Sequence, residues 1–205
     1  MAPPKTALLV IDMQVFFESM TTAALPNIIK LCEHFVKTSA PIVFTKHGHP
    51  KSEMVAHSTS QLVRKWNVNG SIGEGSAEGE IVSELQKFLP KANKTPTIGE
   101  SLPGPESSQF PKLLPKNTYD AFINTPLSSV LENAKIERVI VCGVMTDCCC
   151  DTTARSAFNR GYETWLVSDA CGSANKTQHE AGLRGFGFAF GEVMRTKEVI
   201  SMLDE

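Results

Sequence analysis

The chain has 205 residues, of which 41% are apolar and 20% charged, values that place it among ordinary globular proteins and give enough chain for one domain, residues 1–205, with a substantial core. A formal net charge of −2 lacks the basic excess that nucleic acid or an anionic membrane surface attracts, so neither is expected as a partner. The longest apolar stretches, residues 7–11 and 139–144, are far too short to span a bilayer, and Met-Ala-Pro-Pro-Lys leads straight into the first strand with no room for a signal peptide, so a cytoplasmic protein is expected.

The predicted elements alternate. Residues 6–11 (Thr-Ala-Leu-Leu-Val-Ile) form a short, branched, apolar strand closed by Asp12. Residues 28–36 carry helical periodicity, and residues 41–45 form a second strand. Residues 46–79 are polar and histidine-bearing and read as a long functional loop. A short amphipathic helix is expected over 80–88. From 91 to 115 the density of Pro, Lys, Ser and Gly predicts a surface insertion. Beyond it come a helix over 126–134 with Pro126 at its start, a buried strand over 138–144, and a helix over 149–160 ended by Gly161. Strand 163–168, helix 176–187, strand 191–195 and helix 196–203 complete the chain. This alternation predicts an α/β fold with a mostly parallel sheet between two helical layers.

Three consecutive cysteines, Cys148, Cys149 and Cys150, fall where the strand over 138–144 gives way to a helix. A thiol at a helix N-terminus feels the positive end of the dipole, which favours thiolate. Neighbours on a helix point about 100° apart, so the three cannot share one pocket. Helical geometry alone does not choose among them. Asp12, at a strand end, is a candidate general base, although a turn or capping role suits it equally. Lys116 precedes Asn-Thr-Tyr-Asp-Ala-Phe; buried beside a thiol and a carboxylate it would hold both as anions, whereas most lysines are simply solvated.

The segments Leu8-Leu-Val-Ile-Asp-Met-Gln14, Lys116-Asn-Thr-Tyr-Asp-Ala-Phe122 and Gly143-Val-Met-Thr-Asp-Cys-Cys-Cys-Asp-Thr-Thr-Ala154 together resemble the isochorismatase-like cysteine hydrolase superfamily, whose members include nicotinamidases, N-carbamoylsarcosine amidases, ureidoacrylate hydrolases and isochorismatases. The resemblance implies a six-stranded, Rossmann-like three-layer fold. The family pattern Thr-Asp-x-Cys aligns with Thr146-Asp147-Cys148-Cys149, which makes Cys149 the implied nucleophile, with Asp12 and Lys116 as its partners. Cys148 and Cys150 then become packing neighbours. The resemblance also implies a cis Val144–Met145 peptide, an oxyanion hole from the Met145 and Cys149 amides, and a pocket lined by Phe17, Trp66 and Tyr119, which otherwise read as core aromatics.

Thr45-Lys-His-Gly-His-Pro50 aligns with the nicotinamidase metal segment Asp-x-His, with His47 in the place of the aspartate. The triad requires no cofactor, but His47, His49 and His57 together imply a site for zinc or another divalent metal. The alternative is a pair of hydrogen-bonded loop histidines at the pocket mouth. Three functions follow from the resemblance. The first is thioester-mediated hydrolysis of a C–N bond in a small planar amide or ureido compound. The second is isochorismatase chemistry, with Asp12 as the acid that releases pyruvate. The third is a non-catalytic binding protein on the same fold. A homo-oligomer, dimer or tetramer, is expected by analogy with the family.

Overall fold

A computed structural model describes residues 3–91, 98 and 109–205. In chain order the elements are β1 (Thr6–Ile11), α1 (Glu18–Thr21), α2 (Leu25–Lys37), β2 (Ile42–His47), α3 (Gln61–Trp66), β3 (Lys112–Lys116), α4 (Leu127–Asn133), β4 (Arg138–Val144), α5 (Asp151–Asn159), β5 (Glu163–Gly172), α6 (Lys176–Ala189), β6 (Glu192–Met194) and α7 (Thr196–Leu203). The six strands form one sheet in the order β3-β2-β1-β4-β5-β6, and every pairing is parallel.

Two apolar clusters sandwich the sheet. On one face Leu8 and Val10 pack with Ile28, Leu31, Cys32 and Phe35 of α2 and Val199 of α7. On the other, Leu9 and Ile11 pack with Leu127, Val130 and Leu131 of α4, Ala154 and Ala157 of α5 and Phe186 of α6. The spacing of Ile28, Leu31, Cys32 and Phe35 is the i, i+3, i+4, i+7 stripe that one helix face presents. All six residues of β1 are buried, because helices cover both faces of a parallel sheet. Burying each such Leu or Ile contributes about 1.5–3 kcal/mol.

The order reverses direction between β1 and β4. At such a switch point neighbouring crossovers run to opposite faces and leave a crevice beyond the C-terminal strand ends. Gly143 lets the two central strands approach there. Its φ is +119°, and a Cβ would lie 2.1 Å from the Ile11 carbonyl oxygen.

Several elements depart from the sequence reading. The expected insertion over 91–115 ends earlier, because Lys112–Lys116 is the edge strand β3, pairing with β2 from Val43↔Lys112 to His47↔Lys116. Two lysines and an internal Pro115 in five residues gave it an unstrandlike composition, which an edge tolerates. Most of the remaining insertion, 92–97 and 99–108, lies outside the described residues. The helix expected over 80–88 is a 3-10 stretch, Ser83–Phe88, preceded by an antiparallel bridge from Ile81 to Gln14. The helix after β4 opens with a π-turn, Thr146–Cys150, and becomes α-helical at Asp151. No described helix is long and apolar enough to cross a membrane.

Candidate active site

Asp12 and Cys149 follow β1 and β4, so they flank the crevice at the switch point, and Lys116 closes β3. Asp12 has φ 48°, a left-handed conformation that Asp tolerates better than most residues. This turns the chain out of β1 and leaves the carboxylate fully buried. Thr45 Oγ1 donates to Asp12 Oδ1 at 2.6 Å and accepts from the Asp12 amide at 3.1 Å. Lys116 Nζ lies 2.6 Å from Asp12 Oδ2 and donates to the Thr118 carbonyl at 2.8 Å. The Cys149 thiol lies beside Asp12 and Lys116, close enough for each to shift its pKa.

The electrostatics of this buried trio depart from the expected helix-terminus thiolate. Burial raises the Cys149 pKa well above the ordinary thiol value; Lys116 opposes the rise, and Asp12 adds to it. Desolvation and the facing carboxylate outweigh the helix dipole, whose field is modest. Burial thus favours the protonated form of the resting sulfur. For Lys116, burial alone would lower the pKa, but Asp12 and Cys149 outweigh it and hold the ammonium above the usual lysine value.

The nucleophile turn is pinned from both sides. Thr146 Oγ1 lies 2.9 Å from the Gly172 carbonyl, to which it donates, and 2.8 Å from His179 Nδ1. Ser173 Oγ donates to Asp147 Oδ1, and Gln178 Nε2 donates to Asp147 Oδ2 at 3.0 Å. Helix α6 sits so close that a Cβ on Gly182 would meet the Asp147 Cα at 2.8 Å. The Val144–Met145 peptide is cis.

Cys149 opens onto a cavity of about 240 Å³. Phe17, Trp66 and Tyr119 all line it, as do Met145, His47 and His49. Trp66 Nε1 donates to the Tyr119 hydroxyl at 2.7 Å, linking α3 to the segment after β3. Phe16, Met20, Leu62 and Ala174, which the sequence reading did not single out, complete the wall together with Gly70, Ser71 and Ile72. Cys148 also belongs to it, which corrects its assignment as a packing residue: the wide π-turn carries both Cys148 and Cys149 to the cavity, while Cys150 is buried in the core. Thr45, the partner of Asp12, lies in β2 on the strand next to β1, and a lone strand threonine is uninformative without the sheet order.

The histidines do not assemble as a triad of ligands. His47 Nε2 and His49 Nε2 lie 3.1 Å apart, and His49 Nδ1 is 2.7 Å from Glu53 Oε2. His57 is exposed, and among the described residues no group of three His, Cys, Asp or Glu side chains could hold a metal ion. Two imidazoles fall one short of the three protein ligands usual in a catalytic zinc site. Burial, with the Lys116 charge 3.5 Å from Nδ1, holds the His47 pKa down to about 3. The polar loop explains why His57 misled: its composition gives no indication of where its middle lies.

This architecture matches known proteins along most of its length. The isochorismatase domain family model matches residues 6–103 and 104–198. Nicotinamidase 3 of Arabidopsis thaliana is 34% identical over 184 residues, covering 90% of this chain and 81% of the relative. The ureidoacrylate amidohydrolase of Pseudomonas syringae is 24% identical over 196 residues, covering 89% and 74%. Among solved structures, a cysteine hydrolase from Pseudomonas syringae pv. phaseolicola superposes with a TM-score of 0.76 at 24% identity, covering 100% of this chain and 99% of the other. With its switch-point crevice and its match over nearly the whole length, the chain belongs to the isochorismatase family of hydrolases.

Proposed function

We propose that the protein hydrolyses the C–N bond of a small, neutral, planar amide, an aromatic carboxamide such as nicotinamide, through a thioester on Cys149. The observation that carries this reading is the placement of the Cys149 thiol beside the buried Asp12–Lys116 pair at the wall of a largely apolar, aromatic cavity.

Because burial favours the protonated thiol, attack requires a base at the moment of bond formation. Asp12 takes the Cys149 proton as sulfur adds to the carbonyl carbon. The Met145 and Cys149 amides receive the oxyanion. The intermediate collapses to the thioester, and Asp12 returns the proton to the leaving nitrogen, which departs as ammonia. Water then adds to the thioester with Asp12 as base, and the carboxylic acid leaves as the proton returns to sulfur. Lys116 stays an ammonium throughout, orienting Asp12 and offsetting its charge while Asp12 is ionised.

The cavity wall argues for a neutral substrate. Its described lining contains no arginine or lysine, and His47 is held neutral. A doubly anionic enol ether such as isochorismate finds no counter-charge among those residues, so the isochorismatase reading is the less supported. The test is a panel of nicotinamide, benzamide and isochorismate scored for ammonia and pyruvate, with Cys149→Ala as control. Ammonia from the aromatic amides, lost in the variant, is expected. Pyruvate without ammonia would sink the amide reading, and full activity of Cys149→Ala would sink the thioester.

A further inference from the structure

We propose that His179, in the first turn of α6, is a positioning residue for the oxyanion site: its Nδ1–H fixes the Thr146 hydroxyl on the Gly172 carbonyl, and so holds the turn that carries the Met145 and Cys149 amides. The proposal rests on the reading of Cys149 as the nucleophile.

The direction of the contact follows from what each atom can do. The Thr146 hydroxyl has one proton, and its oxygen lies 2.9 Å from the Gly172 carbonyl oxygen and 2.8 Å from His179 Nδ1. A carbonyl only accepts, so the proton goes to Gly172 and Nδ1 must donate to the Thr146 oxygen. The neutral Nδ1–H ring and the imidazolium both supply that donor, so the contact does not depend on whether Nε2 carries a proton. The other neutral tautomer would set a lone pair against an oxygen whose proton is already committed. The chain of hydrogen bonds thus runs one way, from α6 through the nucleophile turn to the end of β5.

Both anchors are fixed by backbone. Asn175 Oδ1 accepts from the Gln178 amide at 2.9 Å, and the His179 amide donates to the Asn175 carbonyl at 3.0 Å, which sets the first turn of α6. Gly172 closes β5 in register with Val144 of β4. Thr146 stands between these anchors and directly follows Met145, whose carbonyl accepts from the Cys148 and Cys150 amides at 3.1 and 3.0 Å. A displacement of Thr146 therefore reaches Met145 and the turn behind it. Asp147 has a tether of its own, since it accepts from Ser173 and Gln178. That second tether keeps α6 on the turn when His179 is replaced, and leaves the Thr146 contact to set the position of the amides.

The full chain is compared with His179→Ala, His179→Asn and His179→Asp. The Asn side chain offers an N–H where Nδ1 stands, whereas Asp has the same shape and only accepts. Two readouts are taken, ammonia release from benzamide and inhibition by benzaldehyde. In the second, the Cys149 sulfur adds to the aldehyde carbon and the thiol proton passes to the aldehyde oxygen, giving a tetrahedral adduct whose oxygen occupies the oxyanion site. His179→Ala and His179→Asp are expected to lower kcat and to weaken benzaldehyde inhibition by about five- to tenfold, with KM for benzamide changed less than about twofold. His179→Asn should stay within about threefold of the parent. Alkylation of Cys149 by iodoacetamide develops no oxyanion and should keep the parental rate in all three variants. The proposal is overturned if Asn performs no better than Asp, if benzaldehyde inhibition is unchanged in His179→Ala, if KM rises as much as kcat falls, or if alkylation slows along with turnover. Long-range proton–nitrogen correlation spectra of the parent need no substrate and should show a proton on His179 Nδ1; a lone pair there would also overturn it. Failure of the catalytic reading is distinguishable: the parent would then release no ammonia and bind no benzaldehyde, or Cys149→Ala would keep full activity, and the spectra would still decide the His179–Thr146 contact.

Discussion

Lys116 Nζ lies 2.6 Å from Asp12 Oδ2, and both side chains are 0% exposed. A buried ion pair contributes little net stability, since desolvation offsets most of the attraction, but breaking one strands a charge in the interior. Lys116→Met is therefore expected to lower the unfolding free energy by about 3–5 kcal/mol and to abolish turnover. The double variant Asp12→Asn/Lys116→Met should regain at least half of that stability while remaining inactive. Urea titrations of the three proteins check this, and a double variant as unstable as the single one would contradict it.

Alkaline pH should destabilise the protein. Burial raises the pKa of Cys32 to about 12 and that of Cys148 to about 11, and raises Cys142, Cys149 and Cys150 as well. The unfolded chain gives up these thiol protons near pH 8.5–9, whereas the folded chain keeps them. The folded state thus binds more protons, and stability falls as pH rises through that range and on toward the folded values. The raised Lys116 acts in the same direction at higher pH. Each fully buried thiol adds a slope of about 1.4 kcal/mol per pH unit. The urea midpoint should decline above about pH 9, and less steeply in Cys32→Ala; an unchanged slope in that variant would argue against the assignment.

Much of this was legible in the sequence, and the exceptions share a cause. Periodicity located β1, β2, β4, α2 and α7, because apolar spacing reports the face an element buries. Asp12, Lys116 and Cys149 were reached through motifs in register, and the fold brings them side by side. The edge strand β3 was missed because an edge need not be uniformly apolar, and Pro115 is tolerated there. Cys148 was misassigned because a regular helix was assumed, whereas the π-turn Thr146–Cys150 alters which side chains share a face. A helix start, visible in sequence, favours a thiolate, whereas full burial beside a carboxylate, which is not visible there, pushes the Cys149 thiol the other way.

Gly143 tests the switch point itself. Its φ of +119° and the 2.1 Å approach of a Cβ to the Ile11 carbonyl leave no compatible side chain. Gly143→Ala should force β1 and β4 apart beneath Asp12 and Cys149, at a cost of about 4 kcal/mol or more. Gly161→Ala is the comparison, since its φ is +90° but a Cβ there meets nothing within 4 Å. It should lose only about 1 kcal/mol, the strain of the left-handed conformation. Thermal unfolding of the two variants separates steric approach from conformational strain, and equal losses would show that the close approach is relieved by backbone adjustment.

Cys148 should govern which substrates fit, without taking part in the chemistry. It is half-buried in the cavity wall beside Cys149, and burial with the neighbouring Asp147 and Asp151 carboxylates raises its pKa to about 11, so at neutral pH it is a small neutral group. Cys148→Ser keeps that size and should leave kcat within about threefold of the parent, since the residue supplies no proton or nucleophile to the transition state. Cys148→Phe adds a ring to a cavity of about 240 Å³ and should raise KM for aromatic amides by about tenfold or more, the effect of 1–3 kcal/mol of overpacking. A smaller aliphatic amide should lose less, which turns the substitution into a change of preference rather than a general defect. Steady-state kinetics on benzamide and acetamide, alongside alkylation of Cys149 in each variant, distinguish the two. Loss of kcat in Cys148→Ser with unaltered alkylation of Cys149 would instead assign Cys148 a chemical role.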